Sequence, residues 1–252
     1  MKNSLIAYFQ FFTRLVIPIE LEHPLQDLKK GSQFLPLFGC LIGAIEGILY
    51  WVSQLIFPPM ISLWIVLVFD SLFTGGMHQD GLADMADGLF SSRKKERMVE
   101  IMKDSRIGTM GALALIFYYG FMLAIVSSYS PLFQGIQGAL LIFSMHVVAK
   151  SHLTLLFHKM IYAGANSKGL GKTWEGVSFR EILFAQGITI FIVGALFQWK
   201  GLVSYLIGVL VTLIYRQFVY QKISGMNGDT LGAIAPISFV VFLLSMCSLG
   251  GM

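Results

Sequence analysis

Charge is what this chain has least of. Only 13% of its 252 residues are Asp, Glu, Lys or Arg, roughly half the share of a soluble globular protein, and that excludes a water-soluble domain. Intrinsic disorder is excluded as well, because it requires low hydrophobicity together with high charge. Here 56% of the residues are hydrophobic and the mean hydropathy is +0.72. Cysteine is almost absent. Cys40 and Cys247 stand alone in apolar runs, a spacing that forms neither a metal knuckle nor a redox pair, so both read as small buried hydrophobes. Repeats of fixed period and low-complexity tracts are lacking. A P-loop is lacking too. The run Ser167–Thr173 ends in Gly-Lys-Thr, but Asn166 stands where the earlier glycine belongs and no strand precedes it.

What the chain does have is apolar length. A membrane-spanning helix needs about 20 largely apolar residues, and seven segments qualify: approximately 34–57, 60–77, 110–127, 132–149, 181–197, 201–220 and 232–249. The 43 residues from Ile107 to Ala149 contain no Asp, Glu, Lys or Arg, enough for two spans with Ser127–Pro131 as the turn. Of the 18 basic residues, 16 fall on one side of this topology: around Lys2, Arg14 and Lys29–Lys30, in Arg93–Arg106, in Lys150–Arg180, and at Lys222. By the positive-inside rule that side is cytoplasmic, with the N-terminus inside and the C-terminus outside. The stretch after Lys2 is interrupted by Thr13-Arg14 and lacks a cleavage site; it reads as an amphipathic segment on the membrane, stopped by Pro18. The expected fold is therefore an all-α integral membrane protein. It is a single polytopic unit, 1–252, with about seven transmembrane helices and its site at the cytoplasmic face.

The richest stretch is Thr74–Gly88. Gly75-Gly76 ends the second span, and a helix starting near His78 or Asp80 carries Asp80, Asp84 and Asp87 at i, i+4 and i+7, all on one face. Gly81, Ala83, Ala86 and Gly88 leave room around them. Three like charges on a stripe repel, and hard cations relieve such oxygen clusters; Mg²⁺ typically takes one or two carboxylates plus substrate phosphates. Asp104 at the start of the third span offers a fourth carboxylate, with Arg106 beside it for phosphate. An ordinary solvated helix face is the competing interpretation. It weakens because six of only 14 acidic residues, these four aspartates among them, fall within 25 positions at a membrane surface.

A second acidic point, Asp229 in Gly225–Gly232, lies on the same side; alone it would be a Gly/Asn turn. The loop 150–180 holds His152, His158, Lys168 and Lys172, whose lysines are expected from topology but also suit phosphate as point charges. Arg93–Arg97 reads first as a topology signal. Glu46 and Asp70, costly in hydrocarbon, are expected to face the bundle interior and pair there, and His146 to bond between helices. Met and Phe read as core or lipid-facing.

His78-Gln79-Asp80-Gly81-Leu82-Ala83-Asp84-Met85-Ala86-Asp87-Gly88-Leu89 closely resembles the signature of the cobalamin synthase (adenosylcobinamide-GDP ribazoletransferase) family. The resemblance extends to Phe12–Leu15, Phe34–Gly39, Ile101–Ala112 and Gly228–Ala233, in order along most of the chain. It departs at Gln79, where the family usually has Leu, at His146, where it tends to have Arg, and in Ile223–Met226, which is less glycine-rich. The resemblance implies the last assembly step of the cobalamin nucleotide loop. A hydroxyl of α-ribazole, or of its 5′-phosphate, attacks the cobinamide-side phosphorus of adenosylcobinamide-GDP and releases GMP, with Mg²⁺, in the bacterial inner membrane. It casts Asp80, Asp84, Asp87 and Asp104 as metal ligands, one of them a base. His78 becomes the hydroxyl-orienting group, and Arg106, Asp229, Lys103 and Arg14 become substrate contacts. The expected partners are these two substrates and the lipid bilayer, not nucleic acid, with a second copy or other enzymes of the pathway as further associates.

Two rivals remain at this point. Asp84-Met85-Ala86-Asp87-Gly88 echoes the opening of CDP-alcohol phosphotransferases, but Leu89-Phe90-Ser91-Ser92-Arg93 lacks the Ala-Arg that follows there. A cation-coupled transporter would place carboxylates at mid-membrane in two related halves, and no second half is visible.

Overall fold

The computed structural model describes residues 1–91, 93–164 and 169–250; Asn166 and Lys168, weighed above, lie outside the described residues. The elements are α1 (Lys2–Phe12), α2 (Pro24–Lys30), α3 (Leu35–Ser53), α4 (Pro59–Thr74), α5 (Met77–Leu89), α6 (Lys95–Ile101), α7 (Thr109–Ser128), α8 (Gly135–Leu156), α9 (Phe179–Ile223), α10 (Gly228–Gly232) and α11 (Ile234–Gly250), with short 3-10 turns at Ser32–Phe34, Ser130–Phe133 and Leu170–Trp174. Among the described residues there is no strand, only an isolated bridge between Tyr162 and Met226.

Five helical stretches are long and apolar enough to cross a membrane: Ser32–Ser53, Thr109–Ser128, Gly135–Leu156, Phe179–Ile223 and Gly228–Gly250. That is the pattern of a multi-pass membrane protein. The 16-residue α4 is shorter, and α5 departs from it at 87°. Gly75 and Gly76 make this corner, with φ of 69° and 70°, a left-handed backbone that glycine adopts without penalty. The 45 residues of α9 would reach about 68 Å if straight, but the helix doubles back. Gln198 has φ 54° and ψ −138°, and the Tyr205 hydroxyl bonds Gln186, a residue that a straight helix would hold about 28 Å away. The expected spans 181–197 and 201–220 are thus two antiparallel arms.

Two boundaries differ from expectation. α8 does not stop at Ala149 but runs on to Leu156, carrying Lys150 inward. The lysine taken as a loop charge is 4% exposed: its ammonium sits 2.8 Å from His78 Nε2 and 4.2 Å from the centre of the Phe12 ring, a cation held by an aromatic face and a ring nitrogen. α1 ends at Phe12, six residues before Pro18, where Thr13 turns extended, its hydroxyl bonding the Phe9 carbonyl. Ala7, Tyr8 and Phe12 are buried, and Tyr8 and Phe12 pack on Phe38. The N-terminal helix is therefore part of the protein core rather than a segment merely resting on the membrane.

α3 packs on α8 through a glycine every fourth position. A Cβ at Gly43 would fall 2.4 Å from the Phe143 carbonyl, and at Gly39 2.7 Å from that of His146. Such small-residue seams let helix backbones touch in a membrane, and this one brings Glu46 to His146. At one end of the bundle Gln54 of the α3–α4 connection meets Phe133 and Gly135. At the other end α1, α5, α10 and the turn Leu170–Trp174 converge.

Candidate active site

α5 begins at Met77 and holds Asp80, Asp84 and Asp87 within one helix, so the predicted stripe forms. Asp80 is exposed, while Asp84 and Asp87 are half-buried. Across from them stands Asp229. A Cβ at Gly81 would lie 2.9 Å from the Asp229 carbonyl oxygen, so the missing side chain is what lets α10 approach α5. α10 itself is set by Asn227, whose side chain accepts from the Thr230 amide at 2.9 Å while the Thr230 hydroxyl accepts from the Asn227 amide at 2.9 Å. This reciprocal cap makes the expected Gly/Asn turn a rigid single turn of helix. It aims Asp229 at the stripe, where Asp84 has Asp80, Asp229 and Asp87 as its charged neighbours.

Asp87 has a further task. Its two carboxylate oxygens accept from the amides of Gly108 (2.6 Å) and Gly111 (2.8 Å) at the start of α7, the end of a helix that favours an anion. A Cβ at either glycine would come within 2.4 Å of that carboxylate. Asp104 and Arg106, expected as fourth ligand and phosphate clamp, hold one another. The Arg106 amide, Nε and Nη2 donate to Asp104 at 3.1, 3.0 and 2.7 Å. The guanidinium keeps the Asp104 carboxyl down at about 2, well below its ordinary value. The charges around Asp104 are Arg106 and Arg97, so Asp229 rather than Asp104 is the fourth acidic group beside Asp84. Lys103 is exposed and contributes its charge to Asp229. Arg14 is exposed, with its guanidinium across Gly75, and its amide bonds the Phe73 carbonyl at 2.7 Å.

Among the described residues the ion pairs are Arg97–Glu100 and Arg106–Asp104. Among those residues no cationic side chain lies within 4 Å of Asp80, Asp84, Asp87 or Asp229. The donor set is all oxygen and carries uncompensated negative charge, which fits a hard divalent cation. Nitrogen enters elsewhere: ligand atoms of Glu46, Asp70 and His146 lie within 4.8 Å of one another inside the bundle. There, as expected of intramembrane acids, Glu46 pairs with His146 at 2.7 Å and Asp70 accepts from Gln79 at 2.8 Å.

Beside the stripe lies a cleft of about 190 Å³, walled by Phe11 and Phe12 of α1, His78 and Asp80 of α5, Trp174, and Asp229 with Leu231 of α10. His78 is buried, with Lys150 behind its Nε2. Lys150 and Trp174 were not singled out from the sequence. The signal for Lys150 was the apolar pattern that resumes after it, Leu153-Thr154-Leu155-Leu156; Trp174 follows a stretch whose position no periodicity fixes.

The chain matches the cobalamin-5-phosphate synthase family over residues 4–247. It belongs to that family. It is 44% identical to the adenosylcobinamide-GDP ribazoletransferase of Listeria welshimeri, over 99% of each chain. To that of Clostridium novyi it is 42% identical, over 100% of this chain and 98% of the relative. To that of Clostridium botulinum (Okra) it is 32% identical, over 96% of each. No solved structure matches. The chain is thus a transferase of cobalamin biosynthesis, and membership places it with neither the CDP-alcohol phosphotransferases nor the transporters.

Proposed function

We propose that this synthase joins adenosylcobinamide-GDP to α-ribazole, or to α-ribazole 5′-phosphate, giving adenosylcobalamin or its 5′-phosphate and GMP. The observation that carries this is the acidic rim of α5 and α10, four carboxylates without a cationic partner among the described residues, two of which, Asp80 and Asp229, line a cleft, in a member of this family. Asp80, Asp84 and Asp229 would hold Mg²⁺; Asp87, fixed by two amides, sets the height of α5 against α7 and adds its charge. When bound, Mg²⁺ neutralises charge on a diphosphate and on the departing phosphate. The chain positions. Arg14, Lys103 and Arg106 surround the rim with positive charge for the donor's phosphates, and His78 orients the acceptor. The acceptor hydroxyl oxygen forms a bond to the cobinamide-side phosphorus, and the bond from that phosphorus to the bridging oxygen breaks. GMP leaves with the electron pair, and the hydroxyl proton passes to a carboxylate of the rim.

The basic distribution and the family support a bacterial cell-membrane location with the N-terminus and the rim on the cytoplasmic side. There are seven crossings when α4 and each arm of α9 are counted. With cysteine at position 95, we expect protection from an impermeant thiol reagent in intact cells; ready labelling would invert the topology. The function is tested by incubating detergent-purified protein with adenosylcobinamide-GDP and α-ribazole, in Mg²⁺ or in EDTA. GMP and cobalamin in Mg²⁺ alone are expected. Folded protein that releases no GMP with either acceptor would sink the assignment.

A further inference from the structure

We infer that Lys150 is a positioning residue for the acidic rim. Its buried ammonium holds His78 and through it fixes the roll of α5 about its axis, and with it the stand of Asp80. The inference rests on the proposed Mg²⁺ role of the rim. It adds a residue that lies outside the lining of the cleft.

α5 needs such a hold. It leaves α4 at 87° through Gly75 and Gly76, both with left-handed φ, and glycine turns more freely than any other residue. The corner therefore sets where α5 begins but not how it is rolled. A roll of about 20° would carry a carboxylate tip, roughly 5–6 Å from a helix axis, through about 2 Å. Mg²⁺ demands near-ideal octahedral geometry at roughly 2.0–2.1 Å, and a shift of that size breaks it. Asp87 pins the far end of α5 to α7. Near the corner the buried links are Gln79 to Asp70 and His78 to Lys150. Asp70 belongs to α4, on the other side of the corner, whereas Lys150 belongs to α8, which is buried over most of its length. α5 packs mainly on α7, α10 and α6, and Lys150 carries α8 across to it.

The lysine makes no ion pair that would explain it. Among the described residues no carboxylate lies within 4 Å of its ammonium, and its hydrogen-bond partner is His78 Nε2 at 2.8 Å. The rings of Phe12 and Phe38, 4.2 and 5.7 Å away at their centres, hold the cation over their faces. An ammonium has donors only, so Nε2 accepts and the ring proton sits on Nδ1. Tautomer and ring angle are thus set together. Asp80 follows in the same first turn, its amide bonded to the Gly76 carbonyl at 2.8 Å. Burying a charge is costly, and exchanging buried ionic groups for apolar ones of similar volume is often neutral or stabilising. What Lys150 gives in return is the placement of His78.

The test uses the full chain in detergent and compares wild type, Lys150→Met, His78→Leu and the double variant. Methionine keeps an unbranched stem and drops the charge. In calorimetric titration of Mg²⁺ without substrates, Lys150→Met should bind about tenfold more weakly, the low end of the roughly 10–100-fold typical of groups that orient metal ligands. Its melting temperature should equal or exceed that of wild type. His78→Leu should match the loss in affinity, and the double variant should add nothing to it. In turnover, Lys150→Met should need about tenfold more Mg²⁺ to reach half its maximal rate. Three results would overturn the inference: Mg²⁺ binding by folded Lys150→Met equal to that of wild type, a double variant in which the two losses add, or a Lys150→Met protein that fails to fold, which would make the lysine a structural one. A wild type that binds Mg²⁺ but releases no GMP, with Lys150→Met still binding the ion more weakly, would count against the transfer and leave the positioning role standing. A wild type that binds no Mg²⁺ would overturn both.

Discussion

The carboxylates inside the bundle and those on α5 differ in what answers their charge. Glu46 and Asp70 are fully buried, and α8 and α5 supply His146 and Gln79 to meet them. Asp80, Asp84 and Asp229 lie at one end of the molecule, and among the described residues no cationic side chain reaches them within 4 Å. Buried charge left unanswered costs several kcal/mol, so the interior set has its compensation built in. The rim, which water reaches, avoids that cost without a partner built into the fold. Asp87 stands between the two cases, on the same stripe as Asp84 yet already satisfied by the first turn of α7.

Substitutions should separate these roles. Asp84→Asn preserves shape and removes one charge from the rim; GMP release should fall at least 1,000-fold, about 4 kcal/mol in the barrier, with an unchanged melting temperature. A rate within tenfold of wild type would place the chemistry elsewhere. His146→Ala leaves Glu46 buried without its partner and should destabilise the protein by about 3 kcal/mol, read by thermal unfolding in detergent. Molecules still folded at working temperature should turn over as wild type does. Asp87→Asn should cost about 1–2 kcal/mol through the lost cap of α7, and Gly111→Ala should reproduce that loss, because its Cβ would meet the same carboxylate at 2.4 Å. The smallest effect is expected in the basic loop. Arg106→Ala should lower kcat/KM about tenfold and Arg93→Ala less than twofold, on the scale of one charge-assisted contact against a topology signal; equal losses would remove Arg106 from the donor site.

What could be read from the sequence follows the same division. Periodicity places the spans and the face shared by Asp80, Asp84 and Asp87, because both depend on local helix geometry. Glu46, Asp70 and His146 were expected inside by cost alone. Tertiary approach was beyond that reach. Asp229 meets Asp84 only because Gly81 lacks a side chain, Asp104 turns to Arg106 two residues away, and Lys150 goes inward because Phe12 and His78 receive it. The reversal at Gln198 divides α9 as the two expected spans required, but no proline or glycine marks that residue.

The most direct measurement is calorimetric titration of Mg²⁺ into the detergent-solubilised protein, comparing wild type with Asp84→Asn and Glu46→Gln. Wild type and Glu46→Gln should bind the ion alike, and Asp84→Asn should bind it at least tenfold more weakly, the loss of one carboxylate from a small hard-ion site. Mg²⁺ binding by Asp84→Asn equal to that of wild type, or its loss in folded Glu46→Gln, would contradict the assignment of the rim as the metal-holding face.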